Sequence, residues 1–196
     1  MIIQICGTNA SGKTTVARKL LATSSTEPVN VTGAFKLLGH DLTLSGQKTR
    51  LLGPYREDGK TTSHGMDKLG GTAEWQYDFI KQQLDACPVV IYEGMRCANH
   101  KRTAPFITGG IPFHIVLLTT PMPVVLESLT ARRAAKGMPP LEDTKHIHLN
   151  YKRSVNFANA MEQLGASVHK VSRDNAVEKI LEILLKPTLL PQESPL

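Results

Sequence analysis

Apolar residues recur along the chain in two patterns: near-continuous runs of five or six, and longer stretches in which they return every three or four positions. The runs are Met1-Ile2-Ile3-Gln4-Ile5-Cys6, Pro88-Val89-Val90-Ile91-Tyr92 and Phe113-His114-Ile115-Val116-Leu117-Leu118. Each predicts a strand covered on both faces, as in a parallel sheet. The periodic stretches predict helices. One runs from Thr15 to Ala22, and another carries Trp75, Phe79, Ile80 and Leu84 on one face, which assigns Trp75 to the core. A third follows Pro121 through Val125 and Leu129 into Arg132 and Arg133, where Gly137-Met138-Pro139-Pro140 stops it. Ile147, Tyr151, Val155, Ala158 and Met161 make a fourth stripe. Val168 to Val171 predicts a last short strand, and Val177, Ile180, Leu181, Leu184 and Leu185 an amphipathic final helix capped by Asp174.

Between the first two helices, Ser24 to Pro28 breaks the chain. Ala34 to Gly39 and Thr49 to Gly53 then predict two strands around a turn at Ser45-Gly46-Gln47. Residues 54–72 are polar and Gly-rich, a long loop of the kind that carries function. The alternation of strand and helix predicts an α/β, three-layer fold with a central parallel sheet and a β-hairpin insertion. A single domain is expected over residues 1–186, followed by a mobile Pro-rich tail, 187–196.

The first strand runs directly into Gly7-Thr8-Asn9-Ala10-Ser11-Gly12-Lys13-Thr14, a complete G-x-x-x-x-G-K-T phosphate loop, and a helix follows. Glycines let the backbone wrap a phosphate, and successive N–H groups at a helix N-terminus face the anion. Gly7, Asn9, Ala10, Ser11, Gly12, Lys13, Thr14 and Thr15 are therefore the candidate nucleotide-binding residues. Lys13 would reach the β- and γ-phosphates, and the Thr14 hydroxyl would ligate Mg²⁺. A second signal is Glu93, an acid at the carboxyl end of the apolar strand 89–92 and followed by Gly94. It occupies the place of a carboxylate that holds the Mg²⁺ shell. No Asn-Lys-x-Asp motif is present, which argues against a guanine-nucleotide switch. The third signal is Arg132-Arg133 ahead of the Gly-Met-Pro-Pro break. The pair resembles the helical lid that closes over a triphosphate in small kinases, because Arg offers phosphate a bidentate fork. A basic helix end favoured by the macrodipole is the alternative.

Composition narrows the class. At 41% hydrophobic and 20% charged over 196 residues, the chain can bury a full core. No apolar run approaches the ~20 residues of a membrane helix. Three cysteines without metal-ligand spacing point to reduced thiols and a cytoplasmic location. The net charge of +6 fits a polyanionic partner, and equally a solvated basic surface.

Together these segments resemble the nucleoside and nucleotide kinase group of P-loop proteins, from residue 1 to about residue 186. A finer resemblance lies in Leu52-Gly53-Pro54-Tyr55, His64-Gly65-Met66-Asp67-Lys68-Leu69 and Tyr92-Glu93-Gly94. These are similar to the Gly-x-Tyr, Gly-Gly-x-Asp and Phe/Tyr-Glu-Gly steps of a phage-encoded kinase family that phosphorylates hydroxymethyluracil in DNA. Here His64 stands in place of the first Gly, and Arg56-Glu57-Asp58-Gly59-Lys60 makes a charged connection. The resemblance implies ATP and Mg²⁺ as cofactors, DNA carrying a hydroxymethylated pyrimidine as partner, and the host cytoplasm as location. A kinase of a free nucleoside or nucleotide is the alternative, and a non-kinase ATP-binding regulator a third reading. The oligomeric state stays open. Lys13, Glu93, Arg132 and Asp67 are the candidate catalytic residues. Asp67, in a Gly-flanked loop, is the first candidate to orient or deprotonate the acceptor hydroxyl, and Asp41 the second. Tyr55 would stack on an extruded base or pack on its own loop. Arg56 and Arg96 are candidate phosphate or backbone contacts.

Overall fold

A computed structural model of the chain describes residues 1–32, 37–55, 65–69 and 72–186. Its strands are β1 (Ile2–Cys6), β2 (Val29–Thr32), β3 (Leu37–Leu44), β4 (Gln47–Leu52), β5 (Val89–Glu93), β6 (Phe113–Leu118) and β7 (Ser167–Val171). Its helices are α1 (Lys13–Thr23), α2 (Ala73–Ala86), α3 (His100–Thr108), α4 (Met122–Ala134), α5 (Lys145–Gln163) and α6 (Ala176–Leu185), with a short 3₁₀ turn at Met66–Lys68. One sheet takes the order β2-β3-β4-β5-β1-β6-β7. From β4 to β7 every pairing is parallel, while β2 and β3 extend the edge antiparallel.

The core strands read as continuous apolar runs because both faces are covered. Ile3 and Ile5 of β1 and Val89 and Ile91 of β5 pack with Val16, Ala17 and Leu20 of α1 and Ile180 and Leu184 of α6. The alternate residues Ile2, Cys6, Val90 and Tyr92 face Phe79 of α2, Phe106 of α3 and Phe157 and Met161 of α5. Many of these side chains are fully enclosed, so truncating one to alanine costs on the order of 2–5 kcal/mol.

The predicted hairpin is present but longer than its apolar pattern suggests. β3 runs to Leu44 and β4 begins at Gln47, because Ser45 (φ 48°) and Gly46 (φ 76°) both take the left-handed conformation of a two-residue turn. Residues 34–36 of the predicted first hairpin strand lie outside the described residues, as do the tail 187–196 and Arg56. Two elements lack a sequence prediction: β2 and α3. α6 begins one residue later than expected, with Asn175 at its N-cap, while Asp174 pairs with Arg173. Trp75 is not a core residue. It is 36% exposed and stacks on Phe79 at the rim of α2.

Candidate active site

β1 lies between β5 and β6, and its connection leads to α1 on one face of the sheet while the connection from β5 leads to α3 on the other. This is the switch point at which α/β sheets bind ligands, beyond the carboxyl ends of the strands. Register brings the predicted residues together there: Ile5 pairs with Glu93, two residues before Gly7.

The phosphate loop is pinned from three sides. Thr120, buried beyond β6, donates its hydroxyl to the Ser11 carbonyl at 2.8 Å. Thr8 donates to the Ile147 carbonyl of α5 at 3.4 Å. The stem of Arg173 lies over Gly12, where an added Cβ would sit 2.3 Å from Cδ. Ala10 is left-handed at φ 58° and Gly12 at φ 99°, the kind of backbone that turns N–H groups toward a common centre. Lys13 is buried and donates to the carbonyls of Gly7 and Thr8, each at 2.8 Å. The Ser11 hydroxyl is buried and without a protein partner. A cation folded over the loop and an orphan hydroxyl beneath it fit a phosphate chain.

Thr14 donates its hydroxyl to Glu93 Oε1 at 2.9 Å, joining the start of α1 to the end of β5. Burial pushes the Glu93 carboxyl above its ordinary value, opposed by the Lys13 charge and the Thr14 hydrogen bond. Burial likewise pushes the Lys13 ammonium down, offset in part by Glu93, and the Arg132 charge lowers it further. Arg132 at the end of α4 is thus within electrostatic reach of Lys13. Arg133 turns away and donates to the Pro139 carbonyl at 2.6 Å, closing the break that follows α4. Asn9 is half-buried and Thr15 exposed in the loop and first turn.

Asp67 comes to the same rim. Its Oδ2 accepts from the Met95 N–H at 2.8 Å and its Oδ1 from the Arg96 N–H at 3.0 Å, so it caps the turn after β5. Glycines make that approach possible. A Cβ on Gly94 would lie 2.9 Å from Asp67 Oδ1, and a Cβ on Gly65 would lie 2.6 Å from both the Glu93 carbonyl and its Oε1. A Cβ on Gly53 would lie 2.5 Å from Gly65 Cα.

Two predicted acceptor residues are placed elsewhere. Asp41 is held by Arg50 in a bidentate pair, at 2.6 and 2.8 Å, and Arg50 reaches on to Gln83. Arg50 is in register with Val90, three residues before Glu93, so the pair sits about 10 Å below the rim. Asp41 is a hairpin staple rather than a candidate base. Tyr55 is buried beside the α1 face, not exposed on its loop, and burial together with Glu93 pushes its hydroxyl well above its ordinary value. A ring so enclosed presents no face on which a base could stack. Arg96 keeps an exposed side chain.

Thr120 and Arg173 carry no motif signal, since each acts from a strand end that only the fold brings to the loop. Gly53, Gly65 and Gly94 did carry one, in the segments quoted above.

No family model matches the chain. It is similar to a 5-hmdU DNA kinase of Pseudomonas phage PaMx11, with 29% identity over 189 residues, 93% of this chain and 96% of the relative. The resemblance spans both proteins almost end to end. It bears out the resemblance read from the sequence segments. Among the described residues no helix is long and apolar enough to cross a membrane.

Proposed function

We propose that this chain is an ATP-dependent kinase that transfers the γ-phosphate to the hydroxymethyl group of hydroxymethyluracil in DNA. The observation that carries the proposal is one rim holding a phosphate loop, the Thr14–Glu93 pair and Asp67, in a chain similar over its length to a 5-hmdU DNA kinase. The phage origin of that relative supports an infected cell's cytoplasm as the site of the reaction.

The chemistry asks little covalent help of the protein, so positioning and charge dominate. The loop N–H groups and Lys13 hold the β- and γ-phosphates, and Arg132, joined by Arg133 once released from Pro139, adds charge where it grows in the transition state. Thr14 and Glu93 would hold Mg²⁺, whose charge would offset that of the phosphate oxygens. On the acceptor side, the hydroxymethyl oxygen bonds to the γ-phosphorus as the bond from that phosphorus to the β,γ-bridging oxygen breaks, and ADP departs. Asp67 orients the hydroxyl and receives its proton. The Met95 and Arg96 N–H groups fix the carboxylate in place and leave a lone pair on each oxygen for the acceptor.

Radiolabelled ATP offered with hydroxymethyluracil-containing duplex, unmodified duplex and a panel of free nucleosides and nucleotides tests this reading. Label in the modified duplex alone is expected. Efficient label transfer to a free nucleoside or nucleotide, with none to DNA, would replace it by the small-acceptor kinase.

A further inference from the structure

Beside Asp67, on the face of the sheet away from α1, the turn after β5 joins α3 and α5 around a cavity of about 420 Å³. Arg96, Arg102 and Arg153 line it, with Asn99 and Asn150 between them. Three arginines thus line one space of small-ligand size. Among the described residues no carboxylate pairs with any of the three. Arg102 is held in place by Gln76 and by the Arg96 carbonyl, whereas the side chains of Arg96 and Arg153 make no hydrogen bond there. Glu74 lies within electrostatic reach of Arg102 but pairs with none of the three, and arginines left without an ion pair around one cavity suit an anion.

The cavity is tied to the acceptor loop by one residue. Arg96 gives its N–H to Asp67 and also lines the cavity, so an anion held there lies next to the group that Asp67 would address. It is not the donor site, which lies across the sheet rim at the start of α1. We propose that this cavity binds a phosphate ester of the acceptor, with Arg153 and Arg96 as its forks and Arg102 as the fixed member. Under the kinase reading above, on which this rests for its acceptor, the ester is the backbone phosphodiester beside the target nucleotide. A free nucleotide's 5′-phosphate has the same chemistry, and the experiment separates the two.

Arg153 is the residue to change, because among the described residues its side chain has no hydrogen bond or ion pair to lose. Binding is measured without ATP, so the result does not depend on turnover. Fluorescence anisotropy follows labelled duplex, with and without hydroxymethyluracil, across a salt series for the wild type, Arg153→Gln and Arg153→Lys. Calorimetry compares hydroxymethyldeoxyuridine with its 5′-monophosphate on the same three proteins, and melting temperatures confirm equal folding. Each phosphate contact contributes about −0.9 to the log–log salt slope on duplex. Arg153→Gln is expected to flatten the slope by about one unit and weaken both duplexes roughly tenfold at low salt. Arg153→Lys should restore the slope but not the full affinity, since it keeps the charge and loses the fork. If Arg153→Gln instead weakens only the 5′-monophosphate, the cavity holds a free nucleotide's phosphate, and the DNA reading falls while the site stands. If Arg153→Gln leaves the duplex slope and the monophosphate affinity unchanged, the proposal is overturned, even with labelling of modified DNA intact.

Discussion

Gly65→Ala is the substitution most directly dictated by the geometry of the site. Gly65 takes φ 75° and ψ −167°, a region essentially confined to glycine, and a side chain there costs on the order of 1–3 kcal/mol. Its new methyl would also meet the Glu93 carbonyl and Oε1 at 2.6 Å. The carbonyl belongs to the last residue of a central strand and cannot retreat, so the carboxylate must move or the loop must lift. Overpacking of this kind adds about 1–3 kcal/mol. The sum, roughly 2–6 kcal/mol, is a large share of the ~5–15 kcal/mol that holds such a domain together. At about 2–4 °C per kcal/mol for a chain of this size, the melting temperature should fall by roughly 4–24 °C.

A control separates strain from collision. Gly46 has nearly the same φ, 76°, but nothing lies within 4 Å of an added Cβ. Gly46→Ala should therefore cost only about 1–2 kcal/mol, the penalty of the left-handed backbone. Activity gives the second readout, taken at a temperature where both variants are folded. Displacing Glu93 Oε1 from Thr14 should lower the turnover of Gly65→Ala at least about tenfold, since 1.4 kcal/mol of lost positioning suffices, and leave Gly46→Ala untouched. If Gly65→Ala melts with Gly46→Ala and turns over like the wild type, the wedge between Gly53 and Glu93 is not what fixes the carboxylate.

Lys13→Ala should reduce phosphoryl transfer by at least about 10²–10³-fold while circular dichroism stays native, because it removes charge from the transferring group. Near wild-type turnover would refute the phosphate-loop role. Asp41→Ala should destabilise the fold by about 1–2 kcal/mol in urea denaturation, through the loss of a partly buried bidentate pair, and leave kcat of the folded protein unchanged; a collapse of kcat would return Asp41 to the site. His114, 3.2 Å from His169 across β6 and β7, is pushed down to about 4 by burial first and by His169 second. The unfolded chain binds that proton near pH 6.5 and the folded chain does not, so this stability is complete above pH 6.5 and is lost as pH falls toward 4. At a half-exposed site, solvent screening reduces the loss between pH 7 and 5 to about 1 kcal/mol. Denaturation midpoints of His114→Gln should fall less than wild type over that interval, and an equal fall would refute the coupling.

The donor half of this site could be read from the sequence because its chemistry is local. A loop that binds phosphate through its own N–H groups needs glycines, a lysine and a hydroxyl at fixed spacing, and Glu93 follows from the end of an apolar run. The acceptor half was legible only in part. Asp67 stood out by its flanking glycines, yet nothing in the spacing shows that it caps Met95 and Arg96. Asp41 and Tyr55 misled for one reason: a polar side chain beside a loop gives no sign of its partner, and here Arg50 and the α1 face supply it. α3 was hidden by Pro105 inside it and by its basic first turn, although Asn99 caps it in the ordinary way, accepting from the Lys101 N–H at 2.9 Å. β2 is a four-residue edge strand, too short for any period to show. The arginine cavity is invisible in principle, since Arg96, Arg102 and Arg153 come together only when α5 packs on α3.

The glycines of the three recognised segments form one mechanical unit. Gly53 at the end of β4 lies against Gly65, Gly65 against Glu93, and Gly94 against Asp67. A methyl group would meet backbone at Gly53 and Gly65 and the Asp67 carboxylate at Gly94, so each position needs glycine for a close approach within the same stack. The consequence is that the carboxylate paired with Thr14 and the carboxylate proposed for the acceptor are set by the same stack of backbone. Backbone groups hold both ends of it: Gly65 packs on the Glu93 carbonyl, and the Met95 and Arg96 N–H groups hold the Asp67 carboxylate. Phosphoryl transfer needs this, because donor and acceptor oxygens must be held in line to a fraction of an ångström while little covalent chemistry is asked of the protein. The +6 charge then has a place to act. The cations sit on both sides of the stack, Lys13 and Arg132 on the donor side and Arg96 and Arg153 on the other, so polyanions approaching from either side meet at the two carboxylates between them.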